Sequence, residues 1–216
     1  FGSRILKSSC HLTCLSWSII SLQWSSMEEL CRACVDGDVA SVERLAQDPA
    51  VDLNATHGSS LPLHFAAMAK KNGPECTRAL LDAKAEVDGK TNEGKQAVHL
   101  AAENSHGVQI LDTLVQARAN IDAKSTASRT PLHFAAVDGI FDTAQWLLAA
   151  GANVNAMNSC GAIPLHWAAK TGKRDLCEAL LHAKSDITVM DNLGRTPAEM
   201  AEDNRKYELV DLLRGG

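Results

Sequence analysis

Histidine and cysteine are the side chains of this 216-residue chain best suited to metal binding or covalent chemistry, and their spacing decides whether they do either. Four histidines fall at 64, 99, 133 and 166, in steps of 35, 34 and 33. Stacked one helix pair apart, roughly 10 Å, they would form a row too open for one metal ion, whose bonds to nitrogen are about 2 Å. Cys10-x3-Cys14, followed sixteen residues on by Cys31-x2-Cys34, loosely imitates a four-thiolate zinc site. Cys31, however, stands in the His slot of the repeat frame and Cys34 in the second Ala slot, where the interior wants a small residue, and a free thiol packs as a small hydrophobe. The expectation is therefore no metal and no cofactor. The chain also lacks a Gly-x4-Gly-Lys-Ser/Thr phosphate loop, a Gly-x-Ser-x-Gly elbow and a His-Glu-x2-His pair. Its carboxylates show no recurrent pairing suited to acid–base work. No enzyme is expected.

The elements that carry the histidines explain their regularity. Leu61-Pro62-Leu63-His64, Ala97-Val98-His99-Leu100, Thr130-Pro131-Leu132-His133 and Ile163-Pro164-Leu165-His166 are copies of one theme. Each His is followed, after one apolar residue, by Ala-Ala, and the frame extends to Cys31 and Glu199. Pro at a first helical position has no amide to lose and a preset φ. Gly37, Gly139 and Gly172 can end a first helix. Leu80-Leu81, Leu114-Val115, Leu147-Leu148, Leu180-Leu181 and Leu212-Leu213 supply the bulk of a second helix. A period near 33 with this pattern predicts an all-α repeat solenoid of six stacked helix pairs. Trp167, in the slot of Phe65, Leu100 and Phe134, and Trp146, before Leu147-Leu148, are expected in the core.

The pattern resembles the ankyrin repeat, whose signature is Thr-Pro-Leu-His-x-Ala. Residues 129–157 match it best, and the resemblance covers roughly 27–216. It implies helix-turn-helix pairs joined by β-hairpin-like fingers. It implies too that each histidine is a structural clip bonding the adjoining loop backbone. Partners would dock on the concave face of fingers and first helices. The family's variable slots correspond here to Asn92, Glu93, Lys95, Glu103 and Asn104 in the third repeat, and to Arg129, Val137 and Asp138 in the fourth. They continue as Ser159, Lys170 and Thr171 in the fifth and Asn192, Leu193 and Arg195 in the sixth. Asn155 matches a finger asparagine that can be hydroxylated in ankyrin proteins, with Leu147 eight residues upstream; the other reading is a hydrogen-bonding turn residue.

Two repeats depart from the pattern. The second carries two extra residues around Ala69-Lys70-Lys71-Asn72-Gly73-Pro74; the third carries one and replaces the helix-opening proline with Ala97. Such insertions are either drift or a bulge toward a partner. At the ends, Ser26-Met27-Glu28-Glu29 reads as a capping box, and Pro197 to Lys206 replaces interior residues with charge, as a terminal repeat should.

Two domains are expected, an extension over 1–26 and a repeat module over 27–216. The extension holds Arg4, Lys7, eight serines and no acid. Translated upstream sequence or a fragment edge, an organelle transit peptide, and a secretory signal or anchor all fit it. Its apolar stretch is too short to span a membrane. With 21 basic against 26 acidic residues and no basic run, nucleic acid is disfavoured as a partner. A protein partner with neutral or basic contacts is expected instead. The function expected is an interaction module, an adaptor or scaffold subunit in cytoplasm or nucleus, acting as a monomer or within a hetero-complex. The alternatives are a stoichiometric inhibitor of a partner enzyme and an organelle-imported assembly factor.

Overall fold

A computed structural model describes residues 26–215, and within them six helix pairs follow one another without a sheet. The first pair is α1 (26–36) and α2 (Val39–Ala46). Then come α3 (Pro62–Met68) with α4 (Gly73–Asp82), α5 (Ala97–Ala102) with α6 (Gly107–Gln116), and α7 (Pro131–Asp138) with α8 (Phe141–Ala149). The last two are α9 (Pro164–Thr171) with α10 (Arg174–His182), and α11 (Pro197–Asp203) with a 3-10 turn (Tyr207–Leu209) running into α12 (Val210–Leu213). First helices touch first helices in the order α3, α5, α7, α9, α11, and second helices touch in the order α2, α4, α6, α8, α10. Two helical layers therefore grow one repeat at a time, each repeat sealed by its neighbours.

The periodic residues take the places their types dictate. Pro62, Pro131, Pro164 and Pro197 open the first helices, and the Ala-Ala pairs are fully buried where adjacent first helices meet. Without a proline, α5 is the shortest first helix, at six residues. Leu80, Leu114, Leu147 and Leu180 have no exposed surface, while the residue after each is half-buried. Burying one such leucine contributes about 1.5–3 kcal/mol. The last repeat reverses the order: Leu213 is buried and Leu212 only partly so.

The fingers are tight turns that form no strand among the described residues. Among the described residues the only bridge of strand type joins His57 and Ser60. Elsewhere two backbone bonds close each finger: Thr91 N to Lys95 O with Gly94 N to Thr91 O, Ser125 N to Arg129 O with Ser128 N to Ser125 O, Asn158 N to Ala162 O with Gly161 N to Asn158 O, and Asp191 N to Arg195 O with Gly194 N to Asp191 O. The first residue of each turn also accepts an amide with its side chain. Asx and Ser/Thr chemistry thus replaces a ladder. Adjacent fingers are laced together by Thr126 N to Glu93 O, Ser159 N to Ala127 O and Asn192 N to Cys160 O.

The ends differ from each other. Ser26 lies within α1, and the Glu29 carboxylate meets Arg44. Cys10, Cys14 and the rest of 1–25 lie outside the described residues. At the far end a capping box does form. Glu199 stands in the histidine slot and accepts from Thr196 N at 2.7 Å, while Thr196 Oγ accepts from Glu199 N at 3.3 Å. Thr196→Ala is expected to cost about 1 kcal/mol, measured as a lower urea midpoint with an unchanged slope.

Candidate partner-binding face

The histidine row is a set of clips. Nδ1 of His64, His99, His133 and His166 accepts the backbone N–H three residues earlier, at 3.0–3.2 Å. Nε2 then donates to a carbonyl of the next repeat: Gly89, Ala123, Ala162 and Arg195, at 2.9–3.0 Å. All four rings are buried, and burial holds each pKa below the usual histidine range; that of His133 falls to about 4. These are neutral imidazoles with both nitrogens committed, so none has an electron pair left for a metal.

The thiols are equally withdrawn. Cys31, Cys34, Cys76 and Cys177 are buried and free, and desolvation pushes Cys31 and Cys76 up to about 11 and Cys177 up to about 12. The thiolate of Cys34 is disfavoured too, first by burial and then by neighbouring Cys76 and Cys31. A protonated buried thiol is a poor nucleophile and a poor ligand. Cys160, on a finger, is exposed.

The repeat architecture aligns with one family. A family model for ankyrin repeats matches residues 30–125, 68–158, 111–191 and 132–215, which together take in nearly all the described chain. The chain belongs to the ankyrin-repeat family. A search of curated proteins finds no match.

On the face formed by the ankyrin fingers and first helices, most of the candidate residues are accessible. Asn92, Glu93, Asp138, Ser159, Lys170, Asn192 and Leu193 are exposed; Lys95, Glu103, Arg129, Val137, Thr171 and Arg195 are half-buried. Asn104 is the exception. It is buried, and its amide nitrogen donates to the carbonyls of Ala67 at 3.1 Å and Ala69 at 2.9 Å. It closes the end of α3 from the next repeat and faces no partner. Asn72 does the same for the first repeat, donating to Gly37 O at 2.9 Å. The residues inserted in the second and third repeats therefore include staples between repeats, a role that repeat spacing alone does not reveal.

Asn155 is half-buried and binds the base of its finger to the next repeat. Its Oδ1 accepts Asp186 N at 2.9 Å, as Asn54 accepts Glu86 N and Asp122 accepts Asn153 N one and more repeats earlier. The turn role is thus built into three fingers.

A charge slot recurs across this face. Lys95 pairs with Glu103 at 2.8 Å, and Arg195, one residue type over and three repeats on, pairs with Asp203 at 3.2 Å and Asp191 at 2.7 Å. The equivalent positions in the fourth repeat are Arg129 and Val137, and in the fifth Ala162 and Lys170. In the fourth repeat the cation stands without its acid; in the fifth, alanine stands in the cation's place and a lysine in the acid's. Neither Arg129 nor Lys170 forms an ion pair among the described residues. Both rest on aromatic rings. Lys95 sits 4.8 Å from the centre of Phe134, Arg129 4.8 Å from the centre of Trp167, and Lys170 5.1 Å from the same Trp167 ring. Cation–π contact at such sites is worth about 0.5–1 kcal/mol.

Trp167 packs against the core but, like Phe65 in the same slot, is only half-buried, and its Nε1–H finds no acceptor. Its exposed part lies under the two cations, as the Phe134 ring lies under Lys95. Trp146 is half-buried as well, packed on the core from the second-helix side. Beside Trp167 a cleft of about 530 Å³ opens, bordered by Lys170, Leu193, Arg195, Met200 and Asp203. The aligned slots 95, 129, 162, 195 and 103, 137, 170, 203 were readable in the repeat frame; their pairing was not.

Proposed function

We propose that this ankyrin domain is a non-catalytic interaction module that holds a protein partner on the fingers and first helices of its last three repeats. The observation that carries this reading is where apolar surface is left uncovered. Met157, Met190 and Leu193 are 51 %, 61 % and 76 % exposed, and all three lie on the fingers of the fifth and sixth repeats. Met157 and Met190 occupy the same position in successive repeats, and Leu193 borders the cleft beside Trp167. Contiguous apolar side chains rimmed by charge mark contact surfaces, and methionine adapts its shape to what it meets. Ankyrin repeats in general bind other proteins, which agrees with this placement. No helix among the described residues is long and apolar enough to cross a membrane.

The test is affinity capture from a native lysate with the full chain and with the paired variant Met190→Asp plus Leu193→Asp. Both side chains are exposed, so the melting temperature is expected to stay within about 2 °C of the parent's. A partner captured by the parent and at least about tenfold depleted on the variant is the expected result. Equal capture by both would move the interface away from these fingers.

A further inference from the structure

The broken charge slot states what the partner brings. This chain carries an excess of acid, five charges overall, yet on one face it holds two cations side by side without a carboxylate for either. The repeats on both sides show that a carboxylate fits the slot: Glu103 reaches Lys95 and Asp203 reaches Arg195. In the fourth repeat Val137 stands where that acid would be, and in the fifth Lys170 itself stands there. Asp138, the next residue on α7, is exposed and forms no ion pair among the described residues. Arg129 and Lys170 are instead held against one indole ring, where their like charges oppose each other. The ring fixes them and leaves their outer N–H groups unspent, a positive site waiting for an anion.

From this charge complementarity we infer that the fourth and fifth repeats bind an extended acidic segment of the partner protein. Its carboxylates meet Arg129 and Lys170, and a neighbouring aliphatic side chain enters the cleft between Trp167, Leu193 and Met200. The inference rests on the reading of this face as a protein-binding one and adds the chemistry of what binds. It differs from the expectation, drawn from the net charge, of a neutral or basic partner surface. The overall charge describes the whole chain, while recognition answers to the local field. A polyanion such as nucleic acid fits less well, because it would meet Glu93, Asp138 and Asp203 along the same face.

The experiment uses the full chain as bait for a displayed library of unmodified peptides with all residue types equally represented, read by sequencing. Retained peptides are expected to be enriched in Asp and Glu next to Leu, Ile or Met. Their affinity is expected to fall as salt rises. In Arg129→Gln plus Lys170→Gln, whose side chains lie on the surface, the acidic enrichment should disappear and the best peptides weaken at least about tenfold. Trp167→Phe keeps an aromatic ring in the slot and should weaken them less. The signal from Trp167 reports occupancy directly, since its fluorescence should change on binding in the parent and not in that variant. Enrichment of Lys or Arg, or no charge preference, would overturn the inference. So would a mixed-sequence single-stranded DNA that binds this face as tightly as the peptides. If no peptide is retained while Met190→Asp plus Leu193→Asp still abolishes capture of a protein, the face is a contact surface and the acidic-segment inference is wrong.

Discussion

Lowering the pH from 7 to 5 is expected to drop the melting temperature of this domain sharply, through its histidine clips. His133 shows the mechanism. Its Nδ1 accepts Thr130 N at 3.1 Å, with Thr130 Oγ at 2.9 Å, and its Nε2 donates to Ala162 O at 3.0 Å. A proton on Nδ1 would set N–H against N–H inside a fully buried site. The folded pKa therefore lies near 4, against 6.5 for the free side chain. As pH falls below 6.5 the unfolded chain takes up the proton and the folded chain does not, so the unfolded state gains. Stability is full above about 6.5 and is lost progressively down to about 4. His133 alone accounts for about 2 kcal/mol at pH 5 and about 3 kcal/mol once the loss is complete. His64, His99 and His166 are depressed for the same reason and act in the same direction. Against a typical domain stability of about 5–15 kcal/mol, that sum is large. Circular dichroism melts at pH 7, 6 and 5 measure it. A midpoint that stays level over that range would mean the imidazoles are not held neutral. Below pH 4 the carboxylates with lowered pKa, Glu199 and Asp191 among them, add losses of the same sign.

What the sequence made legible follows from which features repeat. The clips, the proline-opened helices and the buried leucines recur in nearly every copy, so each copy corroborates the others and the slot's environment can be inferred. The residues that escaped are the ones that occur once. Asn104 matched a variable surface slot by alignment, but one extra residue in its loop turned it inward to bond Ala67 and Ala69. Trp167 matched a slot occupied by Phe65, Leu100 and Phe134, but the spacing did not show that its ring would carry both Arg129 and Lys170. The way the fingers close was less legible: Asn158 and Asp191 accept the amides of Ala162 and Arg195 with their side chains, beside the backbone bonds.

The candidate face combines both kinds of residue. Its positions were given by the family frame, and its character comes from breaks in that frame. An ion pair complete in the third and sixth repeats stabilises those repeats and exposes little charge. In the fourth and fifth the pair is absent, and on the proposed reading the unpaired Arg129 and Lys170 serve recognition. Real proteins give up local consistency at functional sites, and here the break falls between two repeats that complete the pair.

Gly107→Ala is expected to be among the most damaging single substitutions, costing about 3 kcal/mol, at the upper end for overpacking. Gly107 opens α6 at the close of the loop that carries the extra residue. A Cβ there would stand 1.8 Å from the carbonyl oxygen of Ala101. That oxygen belongs to the α5 backbone and already accepts Asn104 N at 3.1 Å. Relief would require α5 to shift, and α5 carries His99, whose clip fastens the third repeat to the fourth. Gly73, at the same place in the second repeat, meets mainly the flexible end of Ile110, at 2.7 Å, so its replacement should cost less. Gly151→Ala is the control for backbone conformation alone. Its φ is +87° and nothing lies within 4 Å of the added Cβ, so it should cost about 1 kcal/mol. Urea titrations of the three variants rank these costs. If Gly107→Ala lost no more than Gly151→Ala, the close approach of α6 to α5 would be wrong, and with it the account of how the third repeat absorbs its extra residue.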